Sequence, residues 1–95
     1  MRTLRITAPA TQDLEDISNY FLEKSVNAGD KFVKKFSQKC QHIARFPHVG
    51  KSYDQVKPGL RGILVMGYII FYRVSDDDIT IMRVINGHRN LKDAK

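Results

Sequence analysis

The chain has 95 residues, 42% of them hydrophobic, with 16 Lys and Arg against 10 Asp and Glu, for a formal net charge of +6. This length allows a single domain over residues 1–95, and the one cysteine, Cys40, excludes an internal disulfide and a cysteine-based zinc cluster. No apolar run approaches the roughly 18 residues of a membrane helix, and no hydrophobic signal segment opens the chain, so we expect a cytoplasmic protein without a membrane partner.

The chain begins with a predicted strand and a predicted helix. Residues 2–7 alternate in polarity, which is typical of a strand, and Pro9 ends it. From about residue 10 to 24, Leu14, Ile17 and Phe21 recur at the spacing of one helix face. This spacing predicts a helix over the same range.

A second helix is predicted after a short link at residues 25–27. Asn27 is a plausible N-cap, with Asp30 three residues further on in place of the usual Glu or Gln. The helix runs to about Arg45, because Pro47 stops it. Its apolar stripe consists of Phe32, Phe36, Cys40 and Ile43. Two helices joined by so short a link should form an antiparallel hairpin.

The remaining chain predicts a long loop and a strand meander. Residues 46–59 are irregular and rich in Gly, Pro and polar residues, and loops of this length are often functional. Three apolar runs follow, separated by Gly67 and by a turn at residues 76–78, and they read as strands. The predicted fold class is α+β, in the order β-α-α-β-β-β. The helix hairpin packs on one face of a small, mostly antiparallel sheet.

The charge is concentrated in the middle of the chain and on the predicted sheet. Residues 31–61 hold eight Lys and Arg and one Asp, which favours an anionic partner such as nucleic acid or an acidic protein. Each predicted strand of the meander carries an arginine, and two more cationic residues follow the last one. We expect the strand arginines to lie on or beside the uncovered face of the sheet. The predicted binding residues are Arg61, Arg73, Arg83, His88 and Arg89.

Five segments resemble, in order, the RelE/ParE family of toxins from bacterial type II toxin–antitoxin pairs. They are residues 13–20, 46–50 (FPHVG), 58–61 (PGLR), 68–74 (YIIFYRV) and 81–89 (IMRVINGHR). The PGLR segment followed by the YIIFYRV strand is more like the ParE branch. The resemblance implies the same β-α-α-β-β-β fold, no cofactor, and a cognate antitoxin that holds the toxin inactive in a hetero-oligomer.

The two branches of the family imply different targets. The ParE branch is known for poisoning DNA gyrase by binding, and this is the function we expect. The RelE branch cuts messenger RNA in the ribosome, which is the enzymatic alternative. A third alternative is an inactive toxin that retains only antitoxin binding.

Metal-free RNA cleavage requires a base, phosphate-binding cations and an acid at one phosphate. On the family's pattern, Arg61 and Arg83 fall where RelE-type enzymes keep phosphate-binding arginines. Lys51 is then the candidate base and His88 the candidate acid. The middle glutamate of several ribonuclease members and the C-terminal tyrosine of RelE-type enzymes are absent. We therefore favour no catalytic residue, and no His, Asp, Glu or Cys spacing indicates a metal.

Overall fold

The computed structural model describes residues 3–87, which form two helices and a five-stranded sheet. The elements are β1 (Thr3–Ile6), α1 (Ala8–Lys24), α2 (Val26–Arg45), β2 (Lys51–Ser52), β3 (Arg61–Val65), β4 (Tyr68–Val74) and β5 (Asp78–Asn86). The predicted α+β fold is confirmed. It contains one further strand, β2, because two residues of the predicted loop pair with β3.

The sheet has the strand order β1-β5-β4-β3-β2. Strand β1 runs parallel to β5, and all the other neighbours are antiparallel. The two-residue strand β2 covers only the start of β3. Beyond Gly62, no strand of residues 3–87 pairs with the outer edge of β3.

Side-chain caps set the ends of both helices. Thr7 caps α1 by accepting a hydrogen bond from the Ala10 amide at 3.2 Å, so this helix begins at Ala8, two residues earlier than predicted. Ser25 caps α2 by accepting from the Ala28 amide at 3.0 Å. The prediction of Asn27 as the cap is therefore wrong. Ser25 is in extended conformation and is the only residue between the helices.

The main core lies between the helix hairpin and one face of the sheet. Tyr72 and Phe32 are its largest fully buried side chains. A second core lies on the other face and is built from Leu60, Ile69, Phe71 and Ile85. The loop over residues 53–60 packs there through Tyr53, whose ring meets Phe71 edge-on with centroids 5.1 Å apart. The face that we expected to be uncovered is therefore partly covered by this loop, which we call the cover loop.

Strand β5 contains a bulge next to Arg83. The turn at residues 76–77 pairs Val74 with Ile79, and the pairing continues regularly to Tyr72 and Ile81. Phe71 then pairs with Arg83, so Met82 is an extra residue in β5. The shift changes the side-chain alternation from this point onward, which no pattern in the sequence indicates.

Candidate binding site around the strand arginines

The three strand arginines contact three different parts of the protein. Arg83 contacts α1, Arg61 contacts the loop after α2, and Arg73 contacts the cover loop. Arg61 pairs directly with Tyr72, so both point toward the helix-covered face. The prediction that all three lie on or beside an uncovered face is thus wrong for Arg83 and Arg61. Arg73 alternates with Phe71 and shares its face.

Arg83 is joined to α1 by a bidentate ion pair with Asp13. Its Nε and Nη2 atoms donate to the two carboxylate oxygens at 2.7 and 2.9 Å. The backbone N–H of Val84 donates to the same carboxylate at 3.0 Å. The hydrogen bonds between Arg83 and Asp13 raise the pKa of the Arg83 guanidinium. The side chains of Arg83 and Asp13 are 34% and 14% exposed. Arg83 therefore stabilises the fold while its side chain remains partly accessible to solvent.

Arg61 and Tyr72 hold the segment that follows α2, residues 47–50, against the end of the sheet. The Tyr72 hydroxyl donates to the Pro47 carbonyl and accepts from the Gly50 amide, both at 2.8 Å. An Nη1 atom of Arg61 donates to the Gly50 carbonyl at 2.8 Å. Burial is the main reason that the pKa of Tyr72 is raised. We call this arrangement the loop clamp, since it fixes the backbone on both sides of His48.

The loop clamp leaves no room for a side chain at position 50. A Cβ atom on Gly50 would lie 2.5 Å from the Tyr72 hydroxyl oxygen and 3.0 Å from the Gly62 carbonyl oxygen. The first contact is far inside van der Waals distance. Glycine is therefore required here by the close approach of the tyrosine.

Arg73 is the most exposed of the three arginines. Its Nη2 atom donates one hydrogen bond, of 3.2 Å, to the Pro58 carbonyl in the cover loop. The loop is shaped by Asp54, which accepts from the Gly59 amide at 2.8 Å, and this bond is the main reason that the pKa of Asp54 is lowered. Gly59 has a φ of 78°, which favours glycine. The guanidinium of Arg73 thus sits at the rim of an ordered loop.

The residues of the ribonuclease alternative are not brought together in the described part of the chain. Lys51 pairs with Gly62, and its Nζ atom lies 5.6 Å from the centre of the Tyr53 ring, on the cover-loop side of the sheet. Arg61 points to the opposite side. Arg83 is bound to a carboxylate. His88 lies outside the described residues, as does Arg89 of the predicted binding set.

Asp13 and Tyr72 organise this site, and neither is among the predicted site residues. Asp13 stands four residues before the buried Ile17, on the inward side of α1. A carboxylate on the inward side of a helix requires an ion-pair or hydrogen-bond partner, so the sequence already indicated that Asp13 has one. The partners of the Tyr72 hydroxyl lie 22 and 25 positions away, so no local pattern identifies them.

Helix α2 presents a cationic side to solvent. Its buried residues are Gly29, Phe32, Cys40 and Ile43. The opposite side carries four exposed cations: Lys31, Lys34, Lys35 and Arg45. We call these four residues the α2 cationic face.

Cys40 is buried, as its position on the apolar stripe predicted. Desolvation by burial raises the pKa of its thiol to about 11. Within residues 3–87, no helix is long and apolar enough to cross a membrane. The same range contains no group of three or more His, Cys, Asp or Glu side chains that could hold a metal ion.

Comparison with known proteins places this arrangement in a family. The family model described as "ParE toxin of type II toxin-antitoxin system, parDE" matches residues 4–91. The curated protein Toxin ParE3 of Caulobacter vibrioides is 26% identical over 86 residues, which cover 90% of this chain and 86% of the relative. Toxin ParE1 of Mycobacterium tuberculosis is 25% identical over 89 residues, which cover 90% of this chain and 91% of the relative.

A solved structure has the same fold. The chain aligns with a TM-score of 0.76 and 20% identity to a protein from a structure titled "Chromosomal ParDE TA system from P. aeruginosa". The alignment covers 90% of this chain and 96% of the other. The family match extends over nearly the whole chain, including the site described above. The chain therefore belongs to the ParE toxin family of type II toxin–antitoxin systems.

Proposed function

We propose that this toxin inhibits DNA gyrase in the cytoplasm by binding it, and that a cognate antitoxin neutralises the toxin. The observation that carries the proposal is membership of the ParE family over residues 4–91. The arrangement of the strand residues favours binding over catalysis, because Lys51 and Arg61 point to opposite sides of the sheet. The proposed contact residues remain Arg61, Arg73, Arg83, His88 and Arg89.

The three arginines of that set that lie within residues 3–87 differ in how much of the side chain a target can use. Arg73 makes one hydrogen bond of 3.2 Å at the rim of the cover loop. Arg61 donates to two backbone carbonyls, and Arg83 donates two hydrogen bonds to the carboxylate of Asp13. We therefore rank Arg73 first as a direct contact with the target, and we assign Arg61 and Arg83 a combined role in folding and binding.

The outer edge of β3 is the proposed docking position for the antitoxin. Beyond Gly62 this edge has no strand partner among residues 3–87, and open edges accept an added strand. Leu64 is 62% exposed and Val49, nearby, is 43% exposed, which provides an apolar contact for such a segment. Lys39 and Lys51 line the same depression and suit an acidic tail. An antitoxin bound here forms a hetero-oligomer with the toxin.

Pulse-labelling of DNA, RNA and protein synthesis in bacteria, minutes after induction of the toxin, tests the proposed target. We expect DNA synthesis to fail first, and co-expression of the antitoxin to restore it. Inhibition of supercoiling by purified gyrase should follow the same pattern. If protein synthesis fails first while DNA synthesis continues, the ribonuclease alternative replaces this proposal. If none of the three changes, the chain is an inactive toxin that only binds its antitoxin.

A further inference from the structure

The α2 cationic face forms one continuous strip on the helix. At 3.6 residues per turn, Lys31, Lys34, Lys35 and Arg45 fall within roughly 100° of the helix circumference. Lys31 and Arg45 are separated by about 21 Å along the helix axis, which corresponds to the rise of about six base pairs of duplex DNA. The strip is therefore long enough to follow several successive phosphates.

One acidic side chain borders this strip at its N-terminal end, where Asp30 precedes Lys31 and stands four residues before Lys34. Between Asp30 and Asp54 the sequence contains no Asp or Glu. Within residues 3–87, the ion pairs are Arg5 with Asp78 and Arg83 with Asp13, and neither involves α2. A cluster of unpaired cations on one helix side raises the local concentration of an anionic partner.

The residues between the cations favour phosphate contacts over a protein interface. Ser37, Gln38 and Gln41 stand between the lysines and Arg45, and all three are exposed hydrogen-bonding side chains. From residue 34 to 45 no large apolar side chain is exposed. Protein interfaces are anchored by buried apolar and aromatic residues. Contacts to phosphate oxygens are made instead by Lys, Arg, Ser and Gln.

The same strip favours a duplex over a single strand. Proteins that bind single-stranded nucleic acid combine cations with aromatic side chains on which bases stack. Along the described strip, the exposed aromatic rings are His42 and Phe46, which lie at its C-terminal end and pack against each other with centroids 5.4 Å apart. The exposed length between Lys31 and Gln41 carries no aromatic ring.

We infer that the α2 cationic face binds the phosphate backbone of duplex DNA, without reading its sequence. The choice of DNA over double-stranded RNA rests on the proposed function, because the substrate of gyrase is duplex DNA. The α2 face then contacts that DNA while the strand arginines contact the enzyme. The proposed antitoxin edge on β3 borders this face, because Lys39, which lines that edge, lies one helical turn from Lys35 on α2.

Fluorescence anisotropy of a labelled 20-base-pair duplex, titrated with the purified chain at several salt concentrations, tests this inference. The test variant is Lys34→Gln with Lys35→Gln. The matched control is Lys24→Gln with Lys57→Gln, which removes the same charge from α1 and the cover loop. Gln and Lys have similar helix propensities, so both variants should fold, and thermal melting followed by circular dichroism checks this.

Two lost phosphate contacts should reduce the slope of log K against log salt by about 1.8 and weaken binding at least about tenfold at 0.1 M salt. The control should keep most of the slope and the affinity. Equal losses of affinity for the duplex in the two variants would overturn the inference. So would the absence of duplex binding by the parent chain. Tighter binding of poly-glutamate than of the duplex at equal salt would assign the face to an acidic protein. Tighter binding of a matched RNA duplex would assign it to RNA.

The inference and the proposed function fail in different ways. Gyrase inhibition by the parent chain without duplex binding would leave the proposed function in place and remove the inference. Salt-dependent duplex binding through Lys34 and Lys35 without gyrase inhibition would keep the inference and remove the proposed function.

Discussion

Asp13 and Arg83 are 70 positions apart in the sequence and are joined by two hydrogen bonds that connect α1 to the bulged strand β5. The same carboxylate also accepts the backbone N–H of Val84. One side chain of the first helix thus fixes both the guanidinium and the backbone of the last strand. A loss of toxicity on changing Arg83 has two explanations, a lost target contact and a weakened fold.

Asp13→Asn should lower the free energy of unfolding by about 1–2 kcal/mol, because it removes a charge-assisted hydrogen-bond acceptor for Arg83 and Val84. Urea unfolding measures this, and Glu15→Gln on the exposed side of α1 is the control. A double-mutant cycle with Arg83→Met should give a coupling energy of similar size. Additive effects would mean that the ion pair contributes nothing to stability.

Tyr72→Phe should lower the free energy of unfolding by about 1–3 kcal/mol, because the ring remains while the Gly50 amide loses its buried acceptor. Tyr20→Phe removes a hydroxyl from a half-exposed ring and should change stability by less than about 0.5 kcal/mol. Amide hydrogen exchange at Gly50 should accelerate only in the first variant. Unchanged exchange there would show that Tyr72 does not hold the loop.

Arg73→Gln should reduce the proposed inhibition of gyrase at least tenfold while leaving the unfolding free energy within about 0.5 kcal/mol, as is usual for exposed positions. Its single hydrogen bond to Pro58 is at the surface. A titration of supercoiling activity with the purified toxin measures the effect, with Lys57→Gln in the neighbouring cover loop as control. Full inhibition by the Arg73 variant would remove this residue from the target contact.

Stability should fall as the pH rises from about 8 to 10, because Cys40 keeps its proton in the folded state when the unfolded chain has already lost it. The folded-state pKa is raised to about 11, so the stabilisation is complete below the unfolded pKa, near 9, and is lost as the pH rises toward 11. The loss attributable to Cys40 should be about 1 kcal/mol at pH 10. Cys40→Ala should have a correspondingly flatter pH profile in urea unfolding. Identical slopes in the two proteins would contradict a buried thiol.

Periodicity predicted the two helices, because each buries one face against the main core, and apolar runs between turn residues predicted the meander. The helix caps were harder, since Ser25 and Asn27 both have suitable side chains and the choice depends on where α1 ends. Thr7 likewise moved the start of α1 to Ala8.

The candidate site was predicted less well than the fold, and the contact of Arg83 with Asp13, 70 positions away, is the main reason. Regular pairing would place Arg83 opposite Ile70, whereas the extra residue Met82 pairs it with Phe71. Its guanidinium still reaches Asp13 on α1, and no residue pattern marks either the bulge or this contact. The cover loop is a second reason, since Tyr53 and Leu60 look like ordinary loop residues until they are seen packed against Phe71.

Ser25 is the C-cap of α1 and the N-cap of α2, so the link between the two helices is too short to let them change their relative direction freely. A hairpin with a single linking residue has no hinge, so the direction in which α2 points is inherited from α1. Helix α1 is in turn anchored by Asp13. The direction of α2, and with it the position of its lysines, is therefore set by contacts in which none of these lysines takes part. Substitutions within the α2 cationic face should consequently leave the orientation of the helix unchanged.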